Sequence, residues 1–233
     1  MGAVNAVLHN FGEAGTPVMV VDGIGPEPCD VVPLAAQLAP FPPAGNNYPG
    51  VRRVLAPADA AAWSYALALI EAATPYIAGA FELDGFDLVE ASFSMVTTPA
   101  GALAPVQCAP HFDSVDPDYY AVLHYLSDCD GTAFYRHRAA GIETLSAATY
   151  DHYVSVARSD RPQPGFITDS TDAYVCIGKV AGIAGRLVAY PGRLLHSGII
   201  PARFAGSNDP THGRLTTNIF IRGHRTAPKE IEG

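Results

Sequence analysis

From residue 88 onward the chain breaks into short apolar or alternating runs: LVEASFSMVTT, YYAVLHYLS, TAFYRH, AYVCIGKVA, RLVAYPG, RLLHSGII and LTTNIFIR. Gly, Pro, Asp and Asn separate them. Runs of this length between turn formers predict strands, and many in succession predict a sandwich or jelly roll. Earlier residues read differently. Residues 1–55 are rich in Pro and Gly, with a small strand expected at TPVMVVDG, a short helix at EPCDVVPLAAQLA and an ordered loop at NNYPGVRR. The clearest helical stretch is PADAAAWSYALALIEAATPYIAGAF, where Ala and Leu dominate, Pro57 suits the first turn, and Pro75 is expected to break or kink the helix. A second helix is predicted at SAATYDHYVSVAR, with Ser146 as its N-cap. The expected fold class is mainly β with flanking helices: one domain, with an α/irregular N-terminal lobe over 1–87 and a jelly-roll core over 88–225.

Composition narrows the function classes. The 233 residues are 48% apolar and 16% charged, enough for a sizeable core. The net charge is −9 and there is no basic run, a poor match to a phosphate backbone, so no nucleic-acid partner is expected. No run approaches the ~18 uninterrupted apolar residues of a membrane span, and the first fifteen residues lack the basic start and apolar centre of a secretory signal. Cys29, Cys108, Cys129 and Cys176 are scattered without a CxxC pair, which argues against a zinc knuckle or a dense disulfide framework. A reduced cytoplasm is the expected compartment.

Within APHFDSVDPDYY, His111 and Asp113 stand two apart ahead of an apolar strand. Residues i and i+2 of an extended segment point the same way, so the pair can offer two ligands to one ion. By itself it also reads as a turn with a solvated histidine. A mononuclear iron(II) centre needs two histidines and one carboxylate on one face of the metal. His196 in RLLHSGII is the candidate third ligand; alone, it reads equally as a strand-end histidine. In GRLTTNIFIRG, Arg214 and Thr216 alternate onto one strand face, and a guanidinium beside a hydroxyl suits a carboxylate.

Taken in order, PHFDS, YYAVLHYLSDCDGTAFYRH, GRLVAYPGRLLHSG and GRLTTNIFI resemble the iron(II)/2-oxoglutarate-dependent oxygenases, especially their prolyl-hydroxylase-like branch. YPGVRR, GTAFYRHRAAGIE and RLLHSG are similar to a bacterial family of unknown function within that superfamily. The resemblance implies a double-stranded β-helix core, iron held by His111, Asp113 and His196, and 2-oxoglutarate and dioxygen as cosubstrates. It gives Arg214 the distal carboxylate of 2-oxoglutarate, with Thr216 beside it and Tyr125 contributing a hydroxyl, although Tyr125 reads equally as a core tyrosine. Arg203 is a rival to Arg214. The sequence departs from the pattern at Ala102, where many relatives carry a cosubstrate tyrosine, and at Ser127, where Asn is usual. Asp113 favours hydroxylation, since halogenating relatives lose the carboxylate ligand.

The activity so implied is hydroxylation of an amino acid, a peptide or a natural-product intermediate, with release of succinate and CO2. Two arginine pairs, Arg52/Arg53 and Arg136/Arg138, are candidates for an acidic substrate, or else solvated faces. The oligomeric state is left open. Two other readings remain: a non-catalytic cupin-type jelly roll that binds a metal or ligand, and a metal enzyme that needs no keto acid.

Overall fold

A computed structural model describes residues 3–45 and 47–226. Its elements in chain order are β1 (Asn5–Phe11), β2 (Thr16–Asp22), α1 (Pro28–Gln37), β3 (Gly50–Val54), α2 (Ala60–Phe81), β4 (Gly85–Val96), β5 (Tyr119–Tyr125), β6 (Cys129–His137), α3 (Ala147–Ala157), β7 (Tyr174–Gly182), β8 (Leu187–Pro191), β9 (His196–Gly198) and β10 (Leu215–His224). Among the described residues the strands form a seven-stranded sheet, β1-β2-β8-β5-β10-β4-β3, facing a three-stranded one, β7-β6-β9. Neighbouring strands are antiparallel. This is a jelly roll.

Strand alternation divides the side chains into layers. Val18 and Val20 of β2, Ala121 and Tyr125 of β5, and Phe134 of β6 fill the space between the sheets. Met19, Val21, Tyr120, Val122, Ile219 and Ile221 face the other way, onto α1 and α2. Ala133 and Tyr135 of β6 look outward from the small sheet, where Tyr153 of α3 joins them. Each buried aliphatic or aromatic side chain contributes about 1.5–3 kcal/mol, so the helices are held mainly by these faces.

Three sequence expectations change. Residues 1–87 are not only helical and irregular: β1 and β2 make one edge of the large sheet, with β2 hydrogen-bonded to β8, and β3 makes the other edge, against β4. The NNYPGVRR loop is in part strand, because Gly50–Val54 pairs with Ser92–Val96; Asn46 lies outside the described residues. Pro75 lies inside an unbroken α2. Leu69, Ile70, Ala73, Ile77 and Phe81 are buried on both sides of it, and this packing outweighs the one backbone hydrogen bond that proline removes. Ser146 caps α3 as its sequence indicates, accepting the Thr149 N–H at 3.3 Å.

The turn between β1 and β2 reaches across to the segment ahead of α3. Glu143, 6% exposed, accepts the Glu13 N–H at 2.9 Å and the Ala14 N–H at 3.2 Å. Gly12 has φ +73°, and a Cβ there would meet the Glu143 carboxylate at 2.2 Å. Phe11 packs on Phe134, with ring centroids 5.5 Å apart. Glu143→Ala strands two turn N–H groups and is expected to cost about 2 kcal/mol, read as a lower midpoint in urea denaturation. A loss below about 0.5 kcal/mol, the size of an ordinary surface change, means the turn does not depend on this carboxylate.

Candidate active site

His111 lies outside the named strands but forms an isolated bridge with His196 at the start of β9. Each backbone N–H donates to the other's carbonyl, at 2.9 and 2.8 Å. Directly opposed residues of an antiparallel pair project to the same side, and the two imidazoles stand with centroids 4.3 Å apart. Asp113 is two residues on, with its N–H donating to the Gly192 carbonyl at 2.6 Å. Its Oδ2 is 3.7 Å from His196 Nε2. The ligand atoms of His111, Asp113 and His196 all lie within 4.8 Å of one another.

Electrostatics suit this trio to a cation. Desolvation by the surrounding wall pushes His111 and His196 down to about 4, although only His196 is buried while His111 and Asp113 are exposed to the cavity, so both imidazoles have lone pairs to donate at neutral pH. It pushes Asp113 up to about 6, with His111 and Arg52 acting against the rise. His196 Nδ1–H donates to the Leu194 carbonyl at 2.8 Å, which leaves Nε2 for a ligand bond. Tyr190 packs edge-on against the same ring at 4.8 Å. Metal bonds of about 2.0–2.2 Å join ligand atoms up to roughly 4.3 Å apart, so small side-chain rotations would seat one ion. Two neutral imidazoles and one carboxylate fit iron(II).

The trio opens into a cavity of about 810 Å³. Arg214, just ahead of β10, and Thr216, Asn218 and Phe220 within it line the cavity at every second position, while Leu215, Ile219 and Ile221 point to the helices. Arg214 is 9% exposed. Its Nη2 donates to the Gly131 carbonyl at 3.1 Å, its buried Nε has no partner, and it forms no ion pair with a carboxylate among the described residues. Gly198 makes room for it: a Cβ there would stand 3.2 Å from Nη2. Thr216 Oγ1 donates to Asn218 Oδ1 at 2.9 Å. Tyr125 is fully buried and is not part of the cavity wall; its hydroxyl meets Thr132 Oγ1 at 2.6 Å, and Thr132 does line the cavity. Arg203 is exposed and outside it.

Of the two arginine pairs only Arg52 faces the cavity. It is tied to Glu90, donates from Nε to Ser92 at 2.9 Å and lies over the Phe220 ring. Arg53 turns to Asp59. Arg136 pairs with Glu13 of the β1–β2 turn, and Arg138 Nε donates to the Thr171 carbonyl at 3.1 Å. The pairs therefore do not flank one pocket, because the turn stands over that end of β6 and occupies Arg136. The case for an acidic substrate loses its basis in these pairs.

Sequence reasoning missed several cavity residues. Tyr48 lines the wall near Arg214 and Arg52; burial raises its hydroxyl pKa, and the two guanidiniums pull it back. Thr132 and Asp160 also line it. Tyr48 and Thr132 lie inside the YPGVRR and GTAFYRH stretches, which assign them no role, and no motif marks Asp160. Ser127 has its own use: its Oγ accepts the Leu215 N–H at 3.1 Å where β10 begins.

Comparison with solved structures supports the fold. The chain is similar to HygX from Streptomyces hygroscopicus. Against the apo form it has 14% identity over 94% of this chain and 90% of that one, with a TM-score of 0.52. Against the form with nickel and 2-oxoglutarate it has 15% identity over 89% and 83%, again at 0.52. Against the form that also holds hygromycin B the identity is 15% over 89% and 83%, at 0.50. No curated protein sequence matches. Among the described residues no helix is long and apolar enough to cross a membrane. Residues 3–221 match the model of a family of unknown function, DUF6445, and the chain belongs to that family.

Proposed function

We propose that the chain is an iron(II)- and 2-oxoglutarate-dependent dioxygenase that hydroxylates an amino acid, a peptide or a natural-product intermediate. The observation that carries the reading is one cavity holding both a His–Asp–His trio and a buried arginine with no carboxylate partner among the described residues. A buried guanidinium with an orphan N–H is costly to maintain unless an anion completes it. The dicarboxylate 2-oxoglutarate has one end for the metal and one for Arg214. Bound together with dioxygen, iron and 2-oxoglutarate supply the oxidising chemistry and yield succinate and CO2.

His111, Asp113 and His196 would hold the metal, at a point where they line the cavity. The Leu194 carbonyl and Tyr190 fix the His196 ring. Arg214 takes the distal carboxylate and Thr216 borders it. Tyr125 acts one layer back, by positioning Thr132. Asp113 occupies the place a halide would need, which favours hydroxylation. HygX, which shares the fold, has been solved with hygromycin B, and a small-molecule substrate is in keeping with a cavity of this size.

The test is succinate formation when iron(II), 2-oxoglutarate and oxygen are supplied, expected even without substrate as slow uncoupled turnover. Adding excess EDTA should abolish it. A chain that binds metal and 2-oxoglutarate yet yields no succinate with any candidate substrate is a binding protein of cupin type. Metal-dependent turnover without 2-oxoglutarate points to the enzyme that needs no keto acid.

A further inference from the structure

Beyond the metal trio the cavity runs along α3, where Phe112, Tyr150, Tyr153 and Tyr174 give it an aromatic wall. Asp160, just past the end of α3, belongs to the same wall, and its side chain is 17% exposed. Its Oδ2 meets Nε2 of His137 at 2.8 Å, and the His137 side chain is fully buried. His137 Nδ1 accepts the Ala140 N–H at 3.0 Å. A ring nitrogen that accepts carries a lone pair, so the proton is on Nε2 and the ring is neutral. Tyr153 and Tyr174 hold the ring edge-on at 5.5 and 5.0 Å. The histidine therefore orients the carboxylate without cancelling its charge, and among the described residues Oδ1 takes no hydrogen bond.

The other ionic groups of the cavity are accounted for differently. Asp113 belongs to the metal trio, Arg214 to the opposite role of receiving a carboxylate, and Arg52 is paired with Glu90. Arg158 lines the wall too but forms no ion pair with Asp160 among the described residues. What remains on this wall is Arg158 and, beside the aromatic side chains, Asp160, whose carboxylate together with aromatic neighbours suits an ammonium group. The chain's charge of −9 draws cations toward it as well.

We propose that Asp160, held by His137, recognises a protonated amine on the substrate, whose apolar or aromatic part lies along the α3 wall. The proposal names the substrate class of the oxygenase site and so rests on that reading. It replaces the acidic substrate suggested by the arginine pairs.

Binding without turnover tests it. Phenethylamine, the neutral 2-phenylethanol and the anionic 3-phenylpropionate are titrated at pH 7.5 into EDTA-treated protein, with saturation-transfer NMR as the readout. Phenethylamine is expected to bind about tenfold more tightly than the alcohol, the size of one modest ionic contact. Asp160→Asn keeps an oxygen to accept from His137 while removing the charge, so it should erase that preference with an unchanged melting temperature. Arg158→Gln should keep or enlarge it. Equal binding of amine and alcohol, a preference that survives Asp160→Asn, tighter binding of the acid, or no binding of any probe overturns the proposal. None of these measurements needs metal or 2-oxoglutarate. Failure of the oxygenase reading appears separately, as absent succinate.

Discussion

Arg214→Met is expected to weaken 2-oxoglutarate binding by about thirtyfold or more while leaving the melting temperature unchanged or raised. The two effects have opposite origins. Truncating one partner of a buried, hydrogen-bonded charge pair costs about 2–5 kcal/mol of binding, which is about thirtyfold to several thousandfold in Kd. By itself, by contrast, Arg214 is a buried charge with an orphan Nε and, among the described residues, no carboxylate partner. Replacing a poorly compensated buried charge with an apolar side chain of similar length is neutral or stabilising. Calorimetric titration of 2-oxoglutarate under anaerobic conditions with manganese(II), alongside thermal denaturation, reads both. A variant that binds 2-oxoglutarate like the parent removes Arg214 from the role and leaves Arg52 and Arg158 as the other cavity arginines. A variant that loses stability and affinity together makes Arg214 a structural residue.

Asp113→Ala should reduce succinate formation by more than the 10–100-fold typical of losing a group that only supports a metal ligand. It removes the one anionic donor of the trio and leaves two imidazoles 4.3 Å apart. Metal affinity should fall with activity, measured by competition with a coloured chelator. Any residual activity should respond to chloride, since a halide could then approach the metal where the carboxylate stood. Undiminished turnover and metal binding in this variant would falsify the trio as the metal site.

The strands after residue 88 were legible because each is buried on one or both faces, so turn formers and apolar runs delimit them. β1 carries no such signal: Asn5–Asn10 are largely exposed, and its only neighbour is β2 at the sheet edge. β3 is five residues long and reads as loop until β4 is there to pair with it. For the site, period-two spacing placed His111 with Asp113 and Arg214 with Thr216 on common faces. The same alternation puts Arg136 on the face of Phe134 but says nothing about which end of the barrel it reaches; the answer is the β1–β2 turn, at Glu13. Tyr48, Thr132 and Asp160 come from three unrelated segments and meet only around the cavity. Periodicity within one strand is visible in sequence, whereas convergence between strands belongs to the topology.

The clasp between the β1–β2 turn and Glu143 bears on how the chain can drift over generations. A side chain at residue 12 would need both a left-handed backbone and the volume the carboxylate fills. A shorter side chain at 143 frees the volume but not the left-handed backbone, and it abandons two amide groups. The two positions are far apart in sequence but form one heritable choice. In DUF6445 relatives residue 12 should be glycine wherever residue 143 is glutamate, and a lineage without that glycine should show a turn of different length between its first two strands.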